Sequence, residues 1–85
     1  MKKPTTNNQE VLFVAIKNGN VSLKDFPYLS GFRTRVSNLK LIYGIEFKEE
    51  LISQINKFGR KINIVNHILV DIEKAKSCYN KMTRL

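Results

Sequence analysis

The sequence predicts an α+β fold, mainly α, in which three short helices lead into a β-hairpin and a C-terminal helix follows. Three observations point there. Apolar residues recur at helical spacing in three separate stretches, each bounded by capping residues or glycine. The stretch from Ile62 to Val70 is instead rich in β-branched side chains, which suit a pleated strand. The chain has 85 residues, enough for one compact domain with a modest core.

Met1 to Thr5 reads as a short, flexible basic arm. In Thr6-Asn7-Asn8-Gln9 the spacing of Thr6 and Gln9 fits a capping box. The helix it opens carries Val11, Leu12, Ala15 and Ile16 on one face, and Asn18-Gly19-Asn20 stops it. Val21 makes a brief extended segment. Ser22-Leu23-Lys24-Asp25 is a second cap signature, an N-cap serine with an acid in the first turn. That second helix must be short. Pro27 lacks an N–H and crowds the preceding turn, so the helix weakens or ends between Phe26 and Leu29.

Ser30-Gly31 opens the third helix, expected over residues 31–43. Phe32, Val36, Leu39 and Tyr43 form a narrow apolar stripe along it, and Gly44 ends it. Arg33, Thr34, Ser37, Asn38, Lys40 and Leu41 point away from that stripe. Arg35 falls on the flank beside Ile42, where it suits an internal ion pair.

Beyond the third helix, Ile45-Glu46-Phe47-Lys48 alternates as a strand does, and Asn56-Lys57-Phe58-Gly59-Arg60 reads as a hairpin tip. Leu51, Ile52, Ile55 and Phe58 also match a helical pattern with Gly59 as its stop. The hairpin is the preferred reading of residues 48–58, and the helix stays open beside it. Asp71 caps a final helix with Ile72, Ala75, Cys78 or Tyr79, and Met82 at helical spacing, and Lys74, Lys76 and Lys81 on its other side. The expected organisation is an arm (1–5), a domain (6–70) and a C-terminal helix (71–85). That last helix packs on the domain or serves dimerisation.

Charge is the loudest global signal. Fifteen Lys or Arg face seven acids, a formal net charge of +8 with a pI near 9.9. No acid occurs between Asp25 and Glu46, where Arg33, Arg35 and Lys40 lie. None occurs between Glu50 and Asp71, where Lys57, Arg60 and Lys61 cluster. Such a field attracts polyanions, nucleic acid first among them. The single Cys78 excludes an internal disulfide, and with one His it cannot build a zinc site. His67, in a strand-like run, reads as a packed or edge residue, and Cys78 as a structural thiol. Glu49 and Glu50 are adjacent and on a strand would face opposite ways. Gly19, Gly31, Gly44 and Gly59 are too dispersed for a phosphate loop. No enzyme, no cofactor and no small-molecule ligand are therefore expected. Polar residues follow Met1-Lys2-Lys3 where a signal peptide needs an apolar run, and no apolar run is long enough to span a bilayer. The expectation is a cytoplasmic protein with no membrane partner.

The stretch Gly31-Phe32-Arg33-Thr34-Arg35-Val36-Ser37-Asn38-Leu39-Lys40, followed by Tyr43-Gly44-Ile45, resembles the small winged helix-turn-helix domains of bacteria and their phages. Its core is Arg35-Val36-Ser37-Asn38-Leu39-Lys40, and the resemblance covers roughly residues 7 to 70. Two features depart from the pattern: Pro27 shortens the second helix, and the presumed wing strands are long and rather apolar. The resemblance implies a regulator of transcription or of a mobile element that binds double-stranded DNA. The third helix would lie in the major groove, and the wing would touch the backbone. The candidate contact residues are Ser30, Arg33, Thr34, Ser37, Asn38, Lys40, Lys57, Arg60 and Lys61. Arg suits guanine and Asn suits adenine in bidentate contacts, while tip cations suit phosphates. A homodimer formed through the C-terminal helix would enlarge the modest DNA interface of one small domain. The rival reading is a protein–protein module on the same fold, favoured by Leu41, Ile52 and Phe58.

Overall fold

A computed structural model describes residues 2–26 and 31–84. It is an α+β fold of three α-helices and a three-stranded antiparallel sheet. In chain order the elements are α1 (Asn7–Asn18), β1 (Asn20–Ser22), a single 3-10 turn (Leu23–Asp25), α2 (Phe32–Leu41), β2 (Phe47–Ile55), β3 (Lys61–Leu69) and α3 (Ile72–Met82). About half of the chain is helical, and most of the strand residues lie in the β2–β3 hairpin.

Local chemistry explains most boundaries. The Thr6 hydroxyl accepts from Gln9 N at 3.2 Å, as the capping box predicts. The Gln9 side chain does not return to Thr6. It accepts instead from the N–H and hydroxyl of Thr5, at 2.8 and 3.0 Å. Gly19 ends α1 at φ +81°, a conformation that costs a residue with a Cβ considerably more. Asp25 accepts from Ser22 N at 2.9 Å, and Asp71 caps α3 by accepting from Lys74 N at 3.1 Å.

The second helix is short, as expected: a 3-10 turn over Leu23–Asp25 capped at Phe26, with Pro27 outside the described residues. One helix expectation needs correction. The third stops at Leu41 rather than at residue 43, because the chain turns through Gly44 at φ +68°. The Ile45 N–H then reaches back to the Leu39 carbonyl at 3.0 Å, which buries Ile45 and leaves Tyr43 at the surface.

The hairpin reading of residues 48–58 holds. β2 and β3 pair antiparallel from Phe47↔Leu69 to Ile55↔Lys61, and β1 adds to the other side of β3, giving the order β1-β3-β2. A helix over Leu51, Ile52 and Ile55 would have given up this ladder of backbone hydrogen bonds. Directly paired residues share a face, so Val21, His67, Glu49, Phe47 and Leu69 lie on one face of the sheet. Glu50 pairs with Asn66 on the other, opposite in facing to Glu49.

The core gathers Val11 and Leu12 of α1, Val21 of β1, Leu39 of α2 and Tyr79 of α3, all fully buried. The apolar stripe of α3 goes into this core: Ala75 and Tyr79 are buried, and the Tyr79 ring lies 5.8 Å from that of Phe13. Expected as free, the N-terminal arm is tethered. The Tyr79 hydroxyl donates to the Lys2 carbonyl, and Thr5 holds Gln9. The hairpin, by contrast, projects from the body and contributes to a long axis of 45 Å against 23 and 20 Å.

Candidate nucleic-acid interface

α2 has no acidic residue, and its three buried residues, Phe32, Val36 and Leu39, dock it on the core. The rest of its surface divides by rotation at about 100° per residue. Arg33, Ser37 and Lys40 share the flank that looks onto the hairpin, where with Val36, Glu49, Val65 and His67 they line a cleft of about 260 Å³. Thr34 and Leu41 stand at the apex, and Asn38 lies half-buried on the far flank. Arg33, Thr34 and Ser37 are exposed. Ser30, the expected phosphate contact at the helix start, lies outside the described residues.

Lys40 is not free. Its ammonium meets the Glu49 carboxylate of β2 at 2.7 Å, so the candidate phosphate contact instead braces α2 against the hairpin. That hydrogen bond and the lysine charge hold the Glu49 carboxyl below its ordinary range. Arg35 also departs from expectation. No acid pairs with it among the described residues, and its Nε is buried without a hydrogen-bond partner. The pairing of Lys40 with Glu49 links residues nine apart on two elements, so no local pattern announces it.

His67 takes the packed one of the two places that the sequence allowed it. It sits on the central strand at 8% exposure, not at an edge. Its ring lies 6.0 Å from the rings of both Phe32 and Phe47. Nδ1 has no hydrogen-bond partner and is 3.9 Å from the Glu49 carboxylate. Burial pushes its pKa down, and the Lys40 and Arg33 charges push the same way against the attraction of Glu49. The folded protein therefore binds the His67 proton less readily than the unfolded chain, whose histidine titrates near about 6.5. Between the depressed folded value and about 6.5, the unfolded state holds more protons, so stability falls as pH falls. Glu49 adds a separate loss below its unfolded value of 4.5, as pH falls through its lowered folded pKa. The melting temperature should decline from about pH 7.5 to about pH 5.5, and His67→Gln should flatten that decline. An identical slope in the variant would remove His67 from this role.

The hairpin tip carries the second set of candidates. Asn56 shapes it, its side-chain oxygen accepting from Phe58 N and Arg60 N at 3.0 and 2.9 Å. Lys57 lies over the Phe58 ring, 5.3 Å from its centroid, and Arg60 and Lys61 are exposed. Strand rise puts the tip about 24 Å beyond the level of Glu49. The structure thus groups the candidates into a helix set (Arg33, Thr34, Ser37) and a tip set (Lys57, Arg60, Lys61), separated along the hairpin. Among the described residues the only Lys–carboxylate pairs are Lys40 with Glu49 and Lys76 with Glu73. Both candidate sets are therefore left without acid partners.

Cys78 is half-buried, and burial raises its thiol pKa, which makes it a poor nucleophile. Among the described residues no cluster of His, Cys, Asp or Glu can hold a metal ion, and no helix is long and apolar enough to cross a membrane. Comparison with known proteins returns no match: no family model fits the chain, and no curated protein or solved structure is significantly similar to it.

Proposed function

We propose that the chain is a winged helix-turn-helix domain that binds duplex DNA without catalysing a reaction. The observation that carries this reading is α2: an acid-free helix that exposes Arg33, Thr34 and Ser37 beside a projecting hairpin with an unpaired cationic tip. In this reading the 3-10 turn and α2 form the helix-turn-helix, β2 and β3 form the wing, and β1 closes the sheet.

The chemistry follows from the groove. A major groove admits one helix, and residues near the helix N-terminus reach base edges. Arg33 offers a bidentate fork to guanine, with Thr34 and Ser37 adding bonds to bases or phosphates. Asn38, on the far flank, addresses adenine at the other wall. Lys40 and Glu49 fix the angle between helix and hairpin rather than contacting DNA. Lys57, Arg60 and Lys61 supply phosphate contacts at a distance, which position the domain without reading sequence. Regulation of transcription or of a mobile element is the biological role that suits such a domain.

Titration of labelled random duplex tests this. Three phosphate-neutralising side chains would lower affinity about 40-fold between about 50 and 200 mM salt. Lys57→Ala should weaken binding on every sequence and reduce the salt slope by about one contact. Failure to bind at low salt would sink the DNA reading. The protein–protein alternative would then lead, since Leu41 is 83% and Phe58 78% exposed.

A further inference from the structure

The distal hairpin exposes more apolar surface than a DNA wing needs. Leu51 and Ile55 are each 70% exposed, on the same sheet face, and Phe58 stands at the tip. β2 is also an edge strand, nine residues long, without proline. Its open backbone groups can be identified. Val70 N bonds to Glu46 O and Asn56 N to Arg60 O, so the even-numbered residues of β2 face β3. The N–H and C=O groups of Phe47, Glu49, Leu51, Ser53 and Ile55 therefore point out of the sheet edge.

Charge along this edge is polarised. Glu46, Glu49 and Glu50 sit at the base of the hairpin, and Lys57, Arg60 and Lys61 at its tip, with the exposed apolar residues between. An antiparallel second copy of the same edge sets the acidic base of each hairpin at the basic tip of the other. With a two-fold axis through Ser53, the outward-facing residues of β2 meet outward-facing residues of the other strand. Leu51 then lies opposite Ile55 of the second copy, and Ile55 opposite its Leu51. β2 ends at Ile55 and residues 56–60 form the turn, so the same register brings Glu49 and Glu50 of each copy to the level of the other's tip, which holds Lys57, Arg60 and Lys61.

The geometry points to a homodimer in which two β2 edges join into one six-stranded sheet, with acidic base against basic tip and the apolar middles packed together. This is an isologous contact, closed by its own symmetry, and its hydrogen bonds are those of strand addition. It replaces the C-terminal helix as the dimer seam, because α3 has already placed Ala75 and Tyr79 in the core. It requires no DNA.

Sedimentation equilibrium of the full chain without DNA tests it. Up to millimolar concentration the mass should rise from 9.9 kDa to twice that value. Ser53→Pro removes an outward N–H and leaves the β2–β3 bonds intact, so it should weaken the dimer at least about tenfold with an unchanged helical circular dichroism signal. Ile55→Lys should do the same, and it carries the test alone if proline disturbs the hairpin. A chain that stays at 9.9 kDa up to millimolar concentration overturns the proposal. So does a dimer indifferent to Ile55→Lys.

Discussion

Leu39→Ala should cost about 2–5 kcal/mol, the range for emptying a fully buried leucine site. Leu39 has no exposed surface and holds the last turn of α2 on the core, where its carbonyl also receives the Ile45 N–H that closes the following turn. A domain of this size has a total stability of only about 5–15 kcal/mol, so the loss is a large share of it. At about 4–8 °C per kcal/mol, the melting temperature should fall by on the order of 10 °C or more. Leu41, two residues on and 83% exposed, is the control, and Leu41→Ala should change stability by less than about 0.5 kcal/mol. Thermal melts of the two variants decide the point. Equal losses would mean that α2 packs by a different face, and the outward set Arg33, Thr34 and Ser37 would fall with it.

Arg33→Ala is the second large expected effect. It should cost about 1–3 kcal/mol of affinity for a specific duplex and relax preference at one base position. Arg33 combines three properties that the other candidates share only in part. It lies in the first turn of α2, it is exposed, and no acid pairs with it among the described residues. Lys40 is tied to Glu49 and Asn38 is half-buried, so alanine at either should cost less at the bases. Competition binding with single-base variants of a selected site separates base reading from general attraction. An unchanged preference in Arg33→Ala would strip that residue of its role.

Much of this arrangement was legible in the chain, and the reasons differ by element. α1 was readable from both ends because Thr6 and Gly19 act locally, through one hydroxyl bond and one left-handed turn. The buried stripe of α2 was readable because Phe32, Val36 and Leu39 repeat at helical spacing. Residues 48–58 were harder. Leu51, Ile52, Ile55 and Phe58 satisfy a helical period as well as a strand, and pairing with residues 6 to 22 positions away selects the hairpin. The candidate site shows the same division. The sequence marked which α2 residues leave the core, but not which flank meets the hairpin. That depends on how helix and sheet cross, and the Lys40–Glu49 pair and the buried His67 follow from the crossing. Pro27 and Ser30 fall outside the described residues, so the turn before α2 rests on the sequence.

Function divides along the hairpin in this account. Its base steadies α2 through Lys40 and Glu49, its edge carries the dimer seam, and its tip holds the cations. A dimer so built would carry two copies of α2 related by one axis, and paired half-sites in DNA mirror such symmetry.

The most direct test of the central claim is to follow backbone amide shifts of labelled protein while duplex DNA is added at low salt. The account predicts salt-sensitive shifts concentrated in Arg33 to Leu41 and in residues 57–61, with α3 and its lysines little changed. Absence of shifts, or shifts centred on Lys74, Lys76 and Lys81 of α3 with α2 silent, would contradict it.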